Sequence, residues 1–326
     1  MPVHPTVAAR FALLEGLTSM REAYTTPAGL ERIRRYETWE PVAPLPAVDT
    51  REVQLPGPHG PVPARVYTPR SEPGVAPGAD RPGLVWLHGG GFVGGDLDMP
   101  EADATARQVC ALADAIVVSV DYRLAVGGVC YPVPHDDAVA ALTWVRDAAG
   151  ELGIDPARLS LGGASAGANL AAGAALRVRD RDGWLPAGLV LVYAVLHPEV
   201  PPPSRSLVAA LAELPPVFEA LAPRDTFLET NYLGGPTSSA DGYAMPGLAD
   251  LTGLCPTLVV NAEYDRLRAS GEAFSASLAL AGVDVRQVLV PGLLHGFLNQ
   301  PSGLPPLTDC LRLLASAVAS GSVVRD

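Results

Sequence analysis

The feature that most constrains the fold is a regular alternation of short apolar runs with longer helical patterns over the last three quarters of the chain. Residues 84–87, 116–120, 159–161, 189–195, 257–261 and 285–290 read as strands with almost no polar face. Between and after them, residues of about 100–113, 136–152, 165–178, 271–280 and 307–318 carry apolar side chains at three- and four-residue steps. Strands that are apolar on both faces and separated by helices predict a mostly parallel central sheet flanked by helices on both sides, an α/β fold.

The flanks break this rhythm. Residues 1–47 have a helical pattern through Phe11, Leu14, Leu17, Leu30 and Ile33, ending in a strip with Pro41, Pro44 and Pro46. Two short strands, 52–55 and 62–67, enclose Pro56-Gly57-Pro58-His59-Gly60, which is hairpin turn chemistry, and residues 71–82 form a Pro/Gly/Ala loop. A second break lies between the strand ending near 195 and the one beginning at 257. Here Pro201-Pro202-Pro203 and Pro215-Pro216 bracket an apolar helical pattern through Leu207, Leu211, Leu214 and Phe218. The expected organisation is an N-terminal arm (1–50), a catalytic domain in two pieces (51–197 and 249–326), and a small helical cap inserted at 198–248 over the carboxyl ends of the strands.

Composition narrows the chemistry. The 326 residues are 48% hydrophobic and 18% charged, so a large core is available, and the net charge of -12 disfavours nucleic acid and anionic membranes as partners. The chain contains no lysine, which excludes Schiff bases, a phosphate-loop lysine and serine–lysine dyads. Cys110, Cys130, Cys255 and Cys310 are too far apart in sequence for zinc or redox motifs and are expected as buried thiols. There is no apolar stretch of membrane-spanning length and no signal-peptide pattern, so a cytoplasmic location is expected, with no metal or organic cofactor.

Gly163-Ala164-Ser165-Ala166-Gly167 matches G-x-S-x-G between a predicted strand and a predicted helix, where the small flanking residues allow a sharp turn that exposes a nucleophile. His88-Gly89-Gly90-Gly91 follows directly on the strand at 84–87, and consecutive glycines there can turn backbone N–H groups toward an oxyanion. A serine hydroxyl needs a base and an orienting carboxylate. Of six histidines, His4 lies in the arm, His59 in a turn, His88 in the glycine loop, His135 at a helix start and His197 at a strand end. His295, in Pro291-Gly292-Leu293-Leu294-His295-Gly296-Phe297, follows the last strand and is the candidate base. Asp265 follows the preceding strand in the same way, with Glu263 as the rival carboxylate. The order Ser165, Asp265, His295 is that of an α/β-hydrolase.

Over residues of about 53–318 the chain resembles the hormone-sensitive-lipase-like branch of the α/β-hydrolases. The resemblance rests on His88-Gly89-Gly90-Gly91-Phe92, Asp121-Tyr122-Arg123-Leu124-Ala125, Tyr131-Pro132 with Asp136-Asp137, the serine motif, Asp265-Arg266-Leu267-Arg268 and His295-Gly296-Phe297, in that order. It implies that the N–H groups of Gly90, Gly91 and Ala166 form an oxyanion hole and that the arm and the insertion cap an acyl pocket. The chain departs from the family pattern at Ala164, usually acidic or threonine, and at Val126 and Arg266, where proline is usual. Asp121, Arg123, Asp136 and Asp137 are expected to hold loops and helix starts rather than to act on substrate.

The expected activity is hydrolysis of short- to medium-chain acyl or aryl esters by a serine carboxylesterase with a small-molecule ester substrate, and a homodimer is a possibility. The same residues would serve an amidase or deacetylase acting on small arylamides. A non-catalytic ligand receptor on the same fold is the reading from another class, and the retained His295 speaks against it.

Overall fold

The computed structural model describes residues 2–19, 26–39, 44–70, 80–218, 226–301 and 303–321. Met1, Pro41, most of the 71–82 loop and residues 219–225 of the insertion lie outside the described residues. Eight strands form one sheet: β1 (Val48–Leu55), β2 (Val62–Pro69), β3 (Arg81–Leu87), β4 (Ile116–Val120), β5 (Ile154–Ala164), β6 (Leu189–Val192), β7 (Thr257–Tyr264) and β8 (Val285–Leu294). Their spatial order is β1-β2-β4-β3-β5-β6-β7-β8. β1 and β2 pair antiparallel, Leu55 opposite Val62, across the expected turn, and β2 pairs antiparallel with β4. From β4 to β8 every pairing is parallel.

The helices are α1 (Pro5–Ala8), α2 (Pro27–Glu37), α3 (Asp103–Ala113), α4 (Val133–Asp147), α5 (Ala149–Leu152), α6 (Ala166–Asp182), α7 (Arg205–Leu211), α8 (Phe227–Leu233), α9 (Arg268–Leu280) and α10 (Pro305–Ser320). α4, α6 and α9 supply Ala141, Leu142, Leu170, Ala174, Phe274 and Leu278 to a core on one face of the sheet. On the other face, α3 and α10 bury Val109, Cys110, Leu311 and Leu314 against Trp86, Val117 and Val190. With both faces covered, β4 has every residue buried, which is why Ile-Val-Val-Ser-Val carries no alternation. Among the described residues no helix is long and apolar enough to cross a membrane.

The structure corrects several sequence expectations. The run at 189–195 is strand only to Val192, because Tyr193 takes a left-handed backbone (φ 38°) and leaves the sheet while staying buried. β5 begins at Ile154, before the predicted 159, because Ile154 already pairs with Arg81 of β3 ahead of a register shift, although Asp155, Pro156 and Arg158, which follow it, are half-exposed or exposed. The helix expected at 136–152 is broken at Ala148 into α4 and α5. In the arm, a 3-10 segment Ala9–Leu14 follows the single turn of α1. All four cysteines are free; Cys110, Cys255 and Cys310 are buried but Cys130 is only half-buried.

The arm and the insertion meet. Leu14 and Ile33 are buried together with Val217, and the Phe218 ring packs edge-on against Phe11 at 5.3 Å and Tyr36 at 6.1 Å. α7 buries Leu207 and Leu211 against Ala269 at the start of α9.

Candidate active site

Ser165 sits between β5 and α6 with φ 53° and ψ -116°, a conformation that L residues adopt only where the surroundings impose it. The helix therefore starts one residue later than the sequence suggests, at Ala166. The imposing contacts are backbone. A Cβ on Gly167 would lie 2.1 Å from the Leu87 carbonyl oxygen and 2.3 Å from that of His88; one on Gly163 would lie 2.6 Å from the Leu87 oxygen. Both motif glycines thus let the strand-to-helix turn sit against the end of β3.

That end continues into the glycine loop. Gly90 (φ 111°), Gly91 (φ 63°) and Phe92 (φ 66°) are all left-handed, and the Gly90 carbonyl accepts from the N–H groups of Val93 (3.1 Å) and Gly94 (3.0 Å). Among the described residues the N–H groups of Gly90, Gly91 and Ala166 have no protein acceptor. The Asp121 to Ala125 motif holds this loop from behind. Tyr122 donates its hydroxyl to the His88 carbonyl (2.8 Å) and stacks on the His88 ring (4.5 Å), and the Ala125 N–H donates to the Phe92 carbonyl (2.7 Å). Arg123 donates to the Asp137 carboxylate (2.6 Å) and to the carbonyls of His59 and Pro61, tying the β1–β2 turn to α4. Burial alone would raise the Asp136 pKa, but hydrogen bonds from Arg177 and His59 hold it below the ordinary carboxylate value.

The candidate base and carboxylate come from the ends of β8 and β7. His295 follows β8; its Nε2 is 3.0 Å from Ser165 Oγ and its Nδ1 is 2.8 Å from Asp265 Oδ2. The other carboxylate oxygen of Asp265 accepts the Leu267 N–H (2.8 Å), which fixes its plane. Asp265 is 5% exposed and Ser165 8%, whereas the His295 side chain is 40% exposed. With Nδ1–H donating to the carboxylate, the Nε2 lone pair faces the serine hydroxyl, the tautomer that a general base requires.

Glu263 does a different job. It accepts the Gly292 N–H (2.7 Å), while the Gly292 carbonyl accepts the His4 N–H (2.8 Å), so the end of β8 before His295 is held from β7 and from the arm. The other histidines have other neighbours: His59 bonds Asp136 (2.8 Å), His197 bonds the Ser270 hydroxyl (2.8 Å), and His135 is buried, with burial pushing its pKa down to about 4.

Above the glycine loop, a Cβ on Gly91 would lie 2.9 Å from Leu228 Cδ1 of α8, so the insertion reaches the loop itself. Two buried side chains that no sequence motif marks also border the site: Tyr193, whose ring lies edge-on to His295 at 4.9 Å, and Glu101, which accepts from Gly89 and Tyr193. The local sequence Met99-Pro100-Glu101-Ala102 carries no signal of this.

Residues 84–299 match a family model described as the alpha/beta hydrolase fold. The chain is 36% identical over 261 residues to the carboxylic ester hydrolase LipN of Mycobacterium tuberculosis, covering 77% of this chain and 65%, just under two thirds, of that relative. It is also 36% identical over 292 residues to the carboxylesterase NlhH of the same organism, covering 85% and 84%. Among solved structures, the hyperthermophilic esterase of the archaeon Pyrobaculum calidifontis superposes with a TM-score of 0.76 at 31% identity, covering 98% of this chain and 99% of that one.

Proposed function

This chain belongs to the α/β-hydrolase fold family, in its carboxylic ester hydrolase branch, and from that premise we propose that it cleaves small esters through Ser165, His295 and Asp265. The observation that carries the reading is the continuous line from Ser165 Oγ to His295 (3.0 Å) to Asp265 (2.8 Å), anchored on a strained turn at a helix N-terminus.

Ser165 Oγ attacks the ester carbonyl as its proton passes to His295 Nε2, and Asp265 stabilises the imidazolium that forms. The tetrahedral oxyanion is held by the free N–H groups of Gly90, Gly91 and Ala166, each donor contributing on the order of 3 kcal/mol as judged by removal in comparable sites. Collapse expels the alcohol, protonated by His295, and leaves an acyl-serine. Water, deprotonated by the same nitrogen, then attacks the acyl carbon and releases the acid and Ser165.

The substrate class is short- to medium-chain acyl or aryl esters. The arm (1–50) and the insertion (198–248) act as a cap on the catalytic domain (51–197 and 249–326). The cluster of Leu14, Ile33, Val217 and Phe218 and the approach of Leu228 to Gly91 support this reading. Four free thiols support a reducing, cytoplasmic setting.

The test is turnover of a series of aryl esters of increasing acyl length by Ser165→Ala and the parent protein. The variant should fold and lose on the order of 10³-fold or more in kcat, and the parent should prefer short chains. Near-parental turnover in the variant would overturn the assignment of the nucleophile, and a maximum at long chains would overturn the substrate class.

A further inference from the structure

We propose that Glu101 is a positioning residue that locks the glycine loop and the His295 wall into one unit, so that the oxyanion donors and the base hold a fixed separation. This inference rests on the esterase reading above.

Glu101 is 2% exposed, and every group that meets its carboxylate is a neutral donor: the Gly89 N–H on Oε1, and the Tyr193 hydroxyl and Asn299 Nδ2 (3.5 Å, long) on Oε2. No arginine is among these partners, so the group does not behave as half of a buried ion pair. A buried carboxylate is costly, and here three donors offset that cost. The orientation of Asn299 is fixed independently, because its Oδ1 accepts the Glu101 N–H (3.1 Å), which turns its Nδ2 toward the carboxylate. The backbone is pinned as well, since Trp86 Nε1 donates to the Glu101 carbonyl (3.0 Å).

What these donors belong to gives the residue its role. Gly89 is the first glycine of the loop, and a Cβ there would lie 3.1 Å from Ser165 Cβ, so the loop touches the nucleophile at this point. Tyr193 is wholly buried and packs its ring edge-on against both His295 and Phe297, each at 4.9 Å. Burial and the adjacent Glu101 push its phenol pKa well above the ordinary value, so it remains an O–H donor. Asn299 lies four residues beyond His295. One buried side chain therefore joins the two segments that must stay in register during catalysis, and it acts through them.

Only a carboxylate satisfies this set. In Glu101→Gln, the amide N–H₂ must face either Gly89 or the Tyr193 and Asn299 donors, so one side loses its acceptor whichever way the amide turns. The experiment compares Glu101→Gln, Glu101→Asp, Tyr193→Phe and Ser165→Ala with the parent for kcat and KM on 4-nitrophenyl acetate, for inhibition by an alkyl trifluoromethyl ketone, and for Tm. The ketone forms a tetrahedral oxyanion on the serine and so reads the loop directly.

Glu101→Gln should lose about 30- to 100-fold in kcat and a similar factor in ketone affinity, with KM within about three-fold. Glu101→Asp should recover part of both losses, and Tyr193→Phe should lose about ten-fold in kcat. Parental kcat and ketone affinity in Glu101→Gln would overturn the proposal, as would a lowered Tm without loss of either. If Glu101→Gln does not fold, Tyr193→Phe decides, because it keeps the ring and removes only the hydroxyl; unchanged kcat there overturns the proposal. Turnover retained by Ser165→Ala would instead overturn the underlying esterase site, whatever Glu101 does.

Discussion

Gly167→Ala places a methyl group where two backbone carbonyls already sit. The new Cβ would be 2.1 Å from the Leu87 oxygen and 2.3 Å from the His88 oxygen, and an unstrained carbon–oxygen contact needs roughly 3.3 Å. Neither oxygen can rotate away as a side chain would. The end of β3 and the start of the glycine loop must therefore retreat from α6 by about 1 Å, an overpacking that costs about 1–3 kcal/mol. Ser165 and Ala166 stay with α6 while His88 to Gly91 move with β3, so the Gly90 and Gly91 N–H groups shift against Ser165 by about the same distance. A displacement of that size lowers kcat by on the order of 10²-fold. The assay is kcat for 4-nitrophenyl acetate together with Tm. The control is Gly150→Ala in α5, where a Cβ meets nothing within 4 Å and alanine should leave kcat unchanged and raise stability by up to about 1 kcal/mol. Parental kcat and Tm in Gly167→Ala, or indistinguishable behaviour of the two variants, would refute the reasoning.

Three further outcomes are expected. Asp265→Asn should keep the fold but lower kcat by on the order of 10³–10⁴-fold, since the amide oxygen stays on the Leu267 N–H, the N–H₂ faces Nδ1 and the imidazole is driven into the wrong tautomer; steady-state kinetics checks this, and a loss below ten-fold contradicts it. Leu228→Ala should open the space over Gly91 and raise kcat/KM for a longer acyl ester relative to acetate by about ten-fold, read from the aryl ester series, with an unchanged ratio as the contrary result. His135 is buried, and its pKa falls from 6.5 to about 4. The unfolded chain takes up that proton near pH 6.5 and the folded chain does not. The associated stability is thus fully present above pH 6.5 and declines on acidification toward pH 4, by up to about 3 kcal/mol. Tm measured against pH should fall less steeply between pH 6.5 and 4.5 in His135→Asn, and parallel curves would contradict it.

The parallel sheet was legible because buried strands with no polar face repeat between amphipathic helices, and Ile116–Val120 coincides with its predicted bounds. The break at Tyr193 was not, because residues 189–196 are all buried and hydrophobicity does not separate a strand from a buried turn. The first residues of β5 were missed for the opposite reason: Asp155, Pro156 and Arg158 lie on a strand but carry no strand-like pattern. At the site, Ser165, Asp265 and His295 could be named because each sits in a motif at a strand end, and the structure brings them within hydrogen-bond distance. Glu101 and Tyr193 could not. Their place beside the site is set by tertiary contacts across 92 residues of sequence, and neither stands in a pattern that its chemistry would require.

The central claim is that Ser165 is an activated nucleophile. Incubation with a fluorophosphonate, followed by peptide mapping in a mass spectrometer, tests it most directly when ester turnover is followed in the same sample. The account predicts a single adduct on Ser165 that forms in step with loss of turnover and is absent from Ser165→Ala. A folded, ester-hydrolysing protein whose Ser165 remains unlabelled, or whose label lies on another residue, would contradict it.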